Sequence, residues 1–257
     1  MSGKQWGKAS ILGCFVDLVN MEQALRTVED MIGDGVPCQV ITLNAELVYN
    51  AYHNRYLQEI INSARLVTPD GVGIVWAARR LGYRVEERVT GIDMFYNLCK
   101  LAAEKGWGVY FLGAAPGVAK KAGEKLASMY PGLNISGNHH GFFNDEENKA
   151  IIDEIKSKSP ELLFVAMGAP KQEYWINRMK DELGVPVCMG VGGSFDVVAG
   201  IKKRAPNFII KLNLEWFYRL ITEPVRFKRQ LALPKFVLLI LKQKYLRRKR
   251  EDVKREG

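Results

Sequence analysis

Asp70 stands at the close of an apolar run, in Thr68-Pro69-Asp70-Gly71. A carboxylate held on a rigid turn where a strand ends is placed as a general base would be, ready to take a proton from a hydroxyl. The same residue type is a favoured helix N-cap, and the sequence leaves both roles open. Thr42 and Asn44 follow another apolar run and carry no charge. Such groups orient a hydroxyl or bond an acetamido group rather than move protons. Gly113-Ala-Ala-Pro-Gly117 brings backbone N–H groups toward a helix start, which suits a phosphate or an ordinary turn. In Gly168-Ala-Pro-Lys171-Gln172-Glu173, Pro170 can open a helix while Lys171 and Gln172 offer a cation and an amide to a diphosphate or a sugar. An ordinary amphipathic helix start accounts for the same string. Asp196 ends Gly190-Val-Gly-Gly-Ser-Phe-Asp196, whose glycines permit close approach of backbone to a ligand; it is either a ligand contact or a structural anchor.

Several chemistries are disfavoured. The chain has no D-x-D, no H-E-x-x-H and no Cys/His cluster, so neither a metal nor another cofactor is expected. His139 and His140 are read as part of a strand-to-loop transition. Charge on a leaving group then falls to helix N-termini and to Lys or Arg. A nicotinamide-dependent oxidoreductase needs G-x-G-x-x-G after the first strand and an acidic residue about 20 positions on; ILGCFVD (11–17) supplies neither. Cys14, Cys38, Cys99 and Cys188 lie far apart in apolar stretches and read as buried free thiols in a reducing compartment.

The elements that must position these residues alternate along the chain. Apolar runs at 11–17, 36–42, 64–69, 107–113, 133–137, 161–168 and 185–193 are each followed, except the last, by a stretch of helical periodicity, including a single helix over 45–60. Continuous apolar runs between helices predict an α/β, Rossmann-like core with a largely parallel sheet. Ligands gather at the C-terminal ends of such strands. Five polar or glycine-rich strand ends therefore predict one cleft assembled from several loops.

Residues 201–257 differ from this body. They hold 17 Lys or Arg against 5 Asp or Glu, a balance of +12, while residues 1–200 hold 20 against 23. The expected division is a catalytic domain over 1–200 and a basic, amphipathic helical appendage over 201–257. FIIKLNLEWFYRLI (208–221) suits the body surface or a membrane interface, and LALPKFVLLIL (231–241), interrupted by Pro234 and Lys235, is too short to span a bilayer. Lys242 to Arg250 read as plain electrostatic anchoring to anionic headgroups. Arg219, Arg226, Lys228 and Arg229 have the chemistry to close over a diphosphate. Nucleic acid is disfavoured, because the cations are interleaved with Leu, Phe and Val; a homo-oligomer interface stays open. With no signal peptide pattern and no membrane span, the protein is expected at the cytoplasmic face of a membrane, peripherally attached. A non-enzymatic membrane adaptor would not need five polar strand ends.

The strings TLNAELVYNA, TPDGVGIVWAAR, RVTGIDMF, YFLGAAPGVA, LLFVAMGAPKQEYWI and MGVGGSFDVVAG resemble, in order over about 11–200, the WecG/TagA/CpsF glycosyltransferases (glycosyltransferase family 26), in particular the TagA branch of wall teichoic acid synthesis. The basic appendage from about 201 to 250 resembles that branch too. The resemblance implies a metal-independent inverting transferase that moves N-acetylmannosamine from its UDP donor to undecaprenyl-diphosphate-linked N-acetylglucosamine in a β1,4 linkage. Relatives using UDP-N-acetylmannosaminuronic acid or UDP-glucose are the alternative. By position it makes Asp70 the catalytic base, with Thr42 and Asn44 in the same pocket. It sets Arg88 at the substrate phosphate, or shaping the site, and Gln172 near the UDP-sugar. Arg219, Arg226 and Arg229 resemble the arginines of the lipid-linked diphosphate site.

Overall fold

The protein is described from a computed structural model, over residues 6–212, 214–222 and 231–256. Strands β1 (Lys8–Ile11) and β2 (Cys14–Asp17) come first, then helix α1 (Met21–Asp34), β3 (Cys38–Leu43), α2 (Ala45–Tyr52), α3 (Arg55–Ser63), β4 (Leu66–Pro69), α4 (Val72–Arg80) and α5 (Gly91–Lys105). The series continues with β5 (Gly108–Gly113), α6 (Val118–Met129), β6 (Asn134–His139), α7 (Asp145–Lys158), β7 (Leu162–Ala166), α8 (Lys171–Leu183), β8 (Val187–Gly190) and α9 (Ser194–Val198). Helices α10 (Asn207–Lys211), α11 (Glu215–Thr222) and α12 (Ala232–Glu256) make up the C-terminal part.

Six strands form one parallel sheet in the order β4-β3-β8-β7-β5-β6. Alternate residues of each strand face opposite sides, as the pleat requires. Val40, Val109, Phe111, Phe164 and Met189 pack under α1, α5, α6 and α9. On the other side, Ile41, Leu43 and Val67 meet α2, α3 and α4, while Tyr110, Leu163 and Cys188 meet α7 and α8. The expected doubly covered α/β core is therefore present, and strands β5, β7 and β8 are buried throughout.

Two expected elements differ. The run at 11–17 does not enter the sheet; β1 and β2 form a separate antiparallel hairpin, because Leu12–Gly13 turns the chain back on itself. The helix expected over 45–60 is two helices. It breaks at His53, after which the Asn54 side chain accepts from the Leu57 N–H and starts α3 afresh. All four cysteines are free and buried, and burial pushes the Cys14 thiol up to about 12 and that of Cys38 to about 11.

The hairpin seals an edge of the sheet. Asp17, 5% exposed, accepts from the Val67 N–H of β4 at 2.8 Å and lies 3.4 Å from Lys8 Nζ. Burial raises its pKa above the ordinary carboxylate value, against the opposing pull of the Val67 N–H and Lys8. The folded state thus holds a proton over a window in which the unfolded chain has lost it, and stability falls as pH rises through that window. Asp17→Asn keeps an acceptor for Val67 while removing the titration. In urea unfolding series, wild type is expected to lose stability relative to Asp17→Asn as pH climbs from about 4 toward the raised value. Parallel curves across the acid range would overturn this.

Candidate active site

The C-terminal strand ends part company at β8. Strand β8 leads to α9 on one face of the sheet, whereas its neighbours β3 and β7 lead to α2 and α8 on the other. A crevice must open where adjacent connections diverge. The structure has a cavity of about 930 Å³ there, lined by the ends of β3, β4 and β8, by the loop after β7, and by the start of α5. Its far wall comes from the C-terminal part, through Trp216 and Leu220 of α11 and Leu233, Phe236 and Val237 of α12.

Asp70 lines this cavity. Its backbone N–H donates to the Leu43 carbonyl at 2.9 Å, and its carboxylate Oδ2 accepts from the Gly91 N–H at 3.3 Å. Gly91 is the first residue of α5, so the carboxylate meets the positive end of that helix. It does not cap the helix that follows it, because the N-cap of α4 is Gly71. The start of α5 is itself tied down. Thr90 Oγ1 donates to Asp93 Oδ2 at 2.5 Å, and Arg204 Nη2 donates to Asp93 Oδ1 at 2.6 Å.

Thr42 and Asn44 line the same cavity. Asn44 also caps α2, its side-chain oxygen accepting from the Leu47 N–H at 2.9 Å. Arg88 lines it as well, 3.9 Å from Glu215 of α11, so the loop before α5 and the C-terminal part are linked by charge. Gln172 lines it with both ends of its amide engaged: Nε2 donates to Glu173 Oε1 at 2.9 Å, and Oε1 accepts from the Gly192 N–H at 3.0 Å. This brace explains Gly190, where a Cβ would come within 2.5 Å of Gln172 Nε2.

Three expected site residues stand elsewhere. Gly113 ends β5, beyond β7 from the cavity, and lies outside its lining. Its backbone, at φ +132°, has no room for a Cβ against the Ala166 carbonyl of the neighbouring β7, so close approach of the paired strand accounts for that glycine. Lys171 lies on the exposed side of α8, one residue and 100° of helix away from the buried Gln172. Asp196 pairs with Lys202 at 2.9 Å, and its carbonyl accepts from the Ile201 and Lys202 N–H groups. These contacts are those of a structural anchor, and Asp196 lies outside the cavity lining. Arg226 and Arg229 lie outside the described residues. Arg219 falls in α11, but its side chain lies outside the described atoms.

Other lining residues carry no mark in the sequence analysis. Lys202 and Lys203 bring cations to the cavity from the segment leading to α10. Thr90 and Gly91 were legible in RVTGID, since a threonine three residues before Asp93 is a capping pattern. Among the described residues, no group of three or more His, Cys, Asp or Glu is arranged to hold a metal ion.

The model of the Glycosyl transferase WecG/TagA/CpsF family matches residues 9–250. The chain is 37% identical over 203 residues to the N-acetylglucosaminyldiphosphoundecaprenol N-acetyl-beta-D-mannosaminyltransferase of Bacillus spizizenii, covering 79% of this chain and 78% of the relative. It is also 37% identical over 240 residues to the enzyme of that name from Staphylococcus aureus, covering 92% and 93%. The match extends through the parallel core, the Asp70 cavity and its C-terminal wall, and the chain belongs to the WecG/TagA/CpsF family of glycosyl transferases.

Proposed function

We propose that this transferase moves N-acetylmannosamine from UDP-N-acetylmannosamine to undecaprenyl-diphosphate-linked N-acetylglucosamine, with inversion at the anomeric carbon, as the names of its relatives suggest. The observation that carries the mechanism is the Asp70 carboxylate, oriented by the Gly91 N–H on the lining of a cavity large enough for a nucleotide sugar. Asp70 takes the proton of the acceptor's 4-hydroxyl as that oxygen bonds to the donor's anomeric carbon. The bond from that carbon to the diphosphate oxygen breaks, and UDP leaves with the electron pair. A single displacement turns an α-linked donor into a β-linked product. Charge developing on the diphosphate is met by Lys202, Lys203 and Arg88, all of which line the cavity. Arg219, Arg226 and Arg229 are proposed to serve the acceptor's diphosphate.

Attachment to the membrane that carries the acceptor is part of this reading. Among the described residues, no helix is long and apolar enough to cross a membrane. Instead, α11 exposes Trp216, Phe217 and Ile221, and α12 exposes Leu238, Leu241 and Tyr245 beside Lys242 and Lys249. Apolar side chains flanked by cations suit the interface of an anionic leaflet, the cytoplasmic one in this proposal.

Three outcomes test these points. Asp70→Asn should fold normally and lose about 10²- to 10⁴-fold in kcat, measured by UDP release with a lipid-diphosphate acceptor; near-full turnover would sink the base assignment. Activity should persist in EDTA, and a large loss that Mg²⁺ restores would contradict metal independence. Replacing Leu238, Leu241 and Tyr245 together by serine should release the protein from anionic vesicles while transfer to a short-chain soluble acceptor continues. Unchanged co-sedimentation would refute the docking role.

A further inference from the structure

Helix α12 is apolar on two sides. Phe236 and Ile240 are buried in the core formed with α2, α3 and α4, Leu233 and Leu239 pack against it, and Phe236 and Val237 line the cavity. On the opposite side Leu238, Leu241 and Tyr245 are 67%, 39% and 66% exposed. Pro234 falls in the first turn, where no intrahelical N–H is lost, so the helix runs unbroken through a segment whose sequence reads as interrupted. Burying Phe236 and Ile240 holds the helix on the body, but apolar contact has no preferred direction. A helix greasy on two faces can roll, and rolling would exchange the cavity wall for the outer stripe.

Directional contacts oppose this. One turn beyond Ile240, Gln243 Oε1 accepts from the Leu12 N–H at 3.1 Å, and Gln243 Nε2 donates to the Ser10 carbonyl at 3.3 Å. One turn further, Arg247 Nη2 donates to the Tyr83 hydroxyl at 2.8 Å and Nη1 to the Leu81 carbonyl at 3.3 Å, with the guanidinium 5.3 Å from the Tyr83 ring. Phe236, Ile240, Gln243 and Arg247 follow one another at intervals of four, three and four residues, a single face of a helix. The receiving hairpin is braced in turn from α3: Gln58 Nε2 donates to the Leu12 carbonyl, and Asn62 accepts from the Phe15 N–H and donates to the Gly13 carbonyl. Arg247 is therefore engaged with the body, which corrects the reading of the whole 242–250 segment as plain electrostatic anchoring.

We propose that Gln243 and Arg247 are positioning residues, a latch onto the β1–β2 hairpin and the 81–83 turn that fixes the rotation of α12. Set this way, the helix closes the apolar wall of the cavity with one face and turns its exposed stripe outward with the other. The part of the proposal that concerns acceptor binding rests on the functional reading above; the latch itself does not.

The test uses the full-length double variant Gln243→Ala/Arg247→Ala. Amide hydrogen exchange over residues 236–247 should quicken about tenfold or more, from the loss of the hydrogen bonds that hold the helix to the hairpin and the 81–83 turn, while exchange in β5 and β7 stays as in wild type. The KM for the lipid-diphosphate acceptor should rise with the KM for the UDP-sugar unchanged, and Arg247→Lys should give an intermediate acceptor KM. Unchanged exchange in α12 overturns the latch whatever the assay reads. Faster exchange with an unchanged acceptor KM overturns its role in seating the acceptor. Wild type that transfers nothing to the lipid acceptor would instead sink the functional reading, and the exchange measurement would still decide the latch.

Discussion

Phe195 packs its ring 5.7 Å from that of Phe95 and 5.4 Å from that of Phe111, inside the core beneath α5 and α6. Aromatic contact of this kind holds α9 to one face of the sheet, while the chain leaving β3 and β7 goes to the other. The Gly190–Ser194 turn therefore crosses over the end of the sheet, and the cavity opens beside it. Asp70, Thr42 and Asn44 are brought together because β3 and β4 end beside that cavity. Gln172 then fixes the turn by binding the Gly192 N–H. Large apolar rings on one side and one amide on the other thus hold a glycine-rich segment that has little packing of its own.

The remaining wall is borrowed from the C-terminal helices, and this gives α12 a double nature. Full burial of Phe236 and Ile240 is worth about 1.5–3 kcal/mol for each side chain, which makes the helix part of the core. The same helix carries an apolar outer stripe that water disfavours. A segment whose charge reads as a membrane anchor also builds a wall of the Asp70 cavity. The Arg88–Glu215 and Arg204–Asp93 pairs join the start of α5 and the loop before it to the C-terminal part from two sides.

Much of this was legible in the sequence, for identifiable reasons. Continuous apolar runs between helical stretches gave away the parallel sheet, and polar residues at strand ends gave away Asp70, Thr42 and Asn44. What the runs do not encode is the face toward which each strand exits, so the loop after Gly113 looked equivalent to the others although it lies beyond β7. Nor does a short motif encode helical phase. In Lys171-Gln172 the amide is inside and the cation outside. Asp196 had two readings of equal chemistry, and its pairing with Lys202 is not written in the local motif. The hairpin was hidden because 11–17 reads as one apolar run, while Leu12–Gly13 splits it.

The contact between Leu12 and Gln243 spans 231 residues of chain. Contacts so distant in sequence form late, since the intervening loop must close before they bring any gain. During synthesis the hairpin emerges well before its partner on α12. A chain that has not yet reached α12 can therefore assemble its sheet and its Asp70 turn, yet it lacks the outer wall of the cavity. Of the residues that line the cavity, those of α12 are the last to be made.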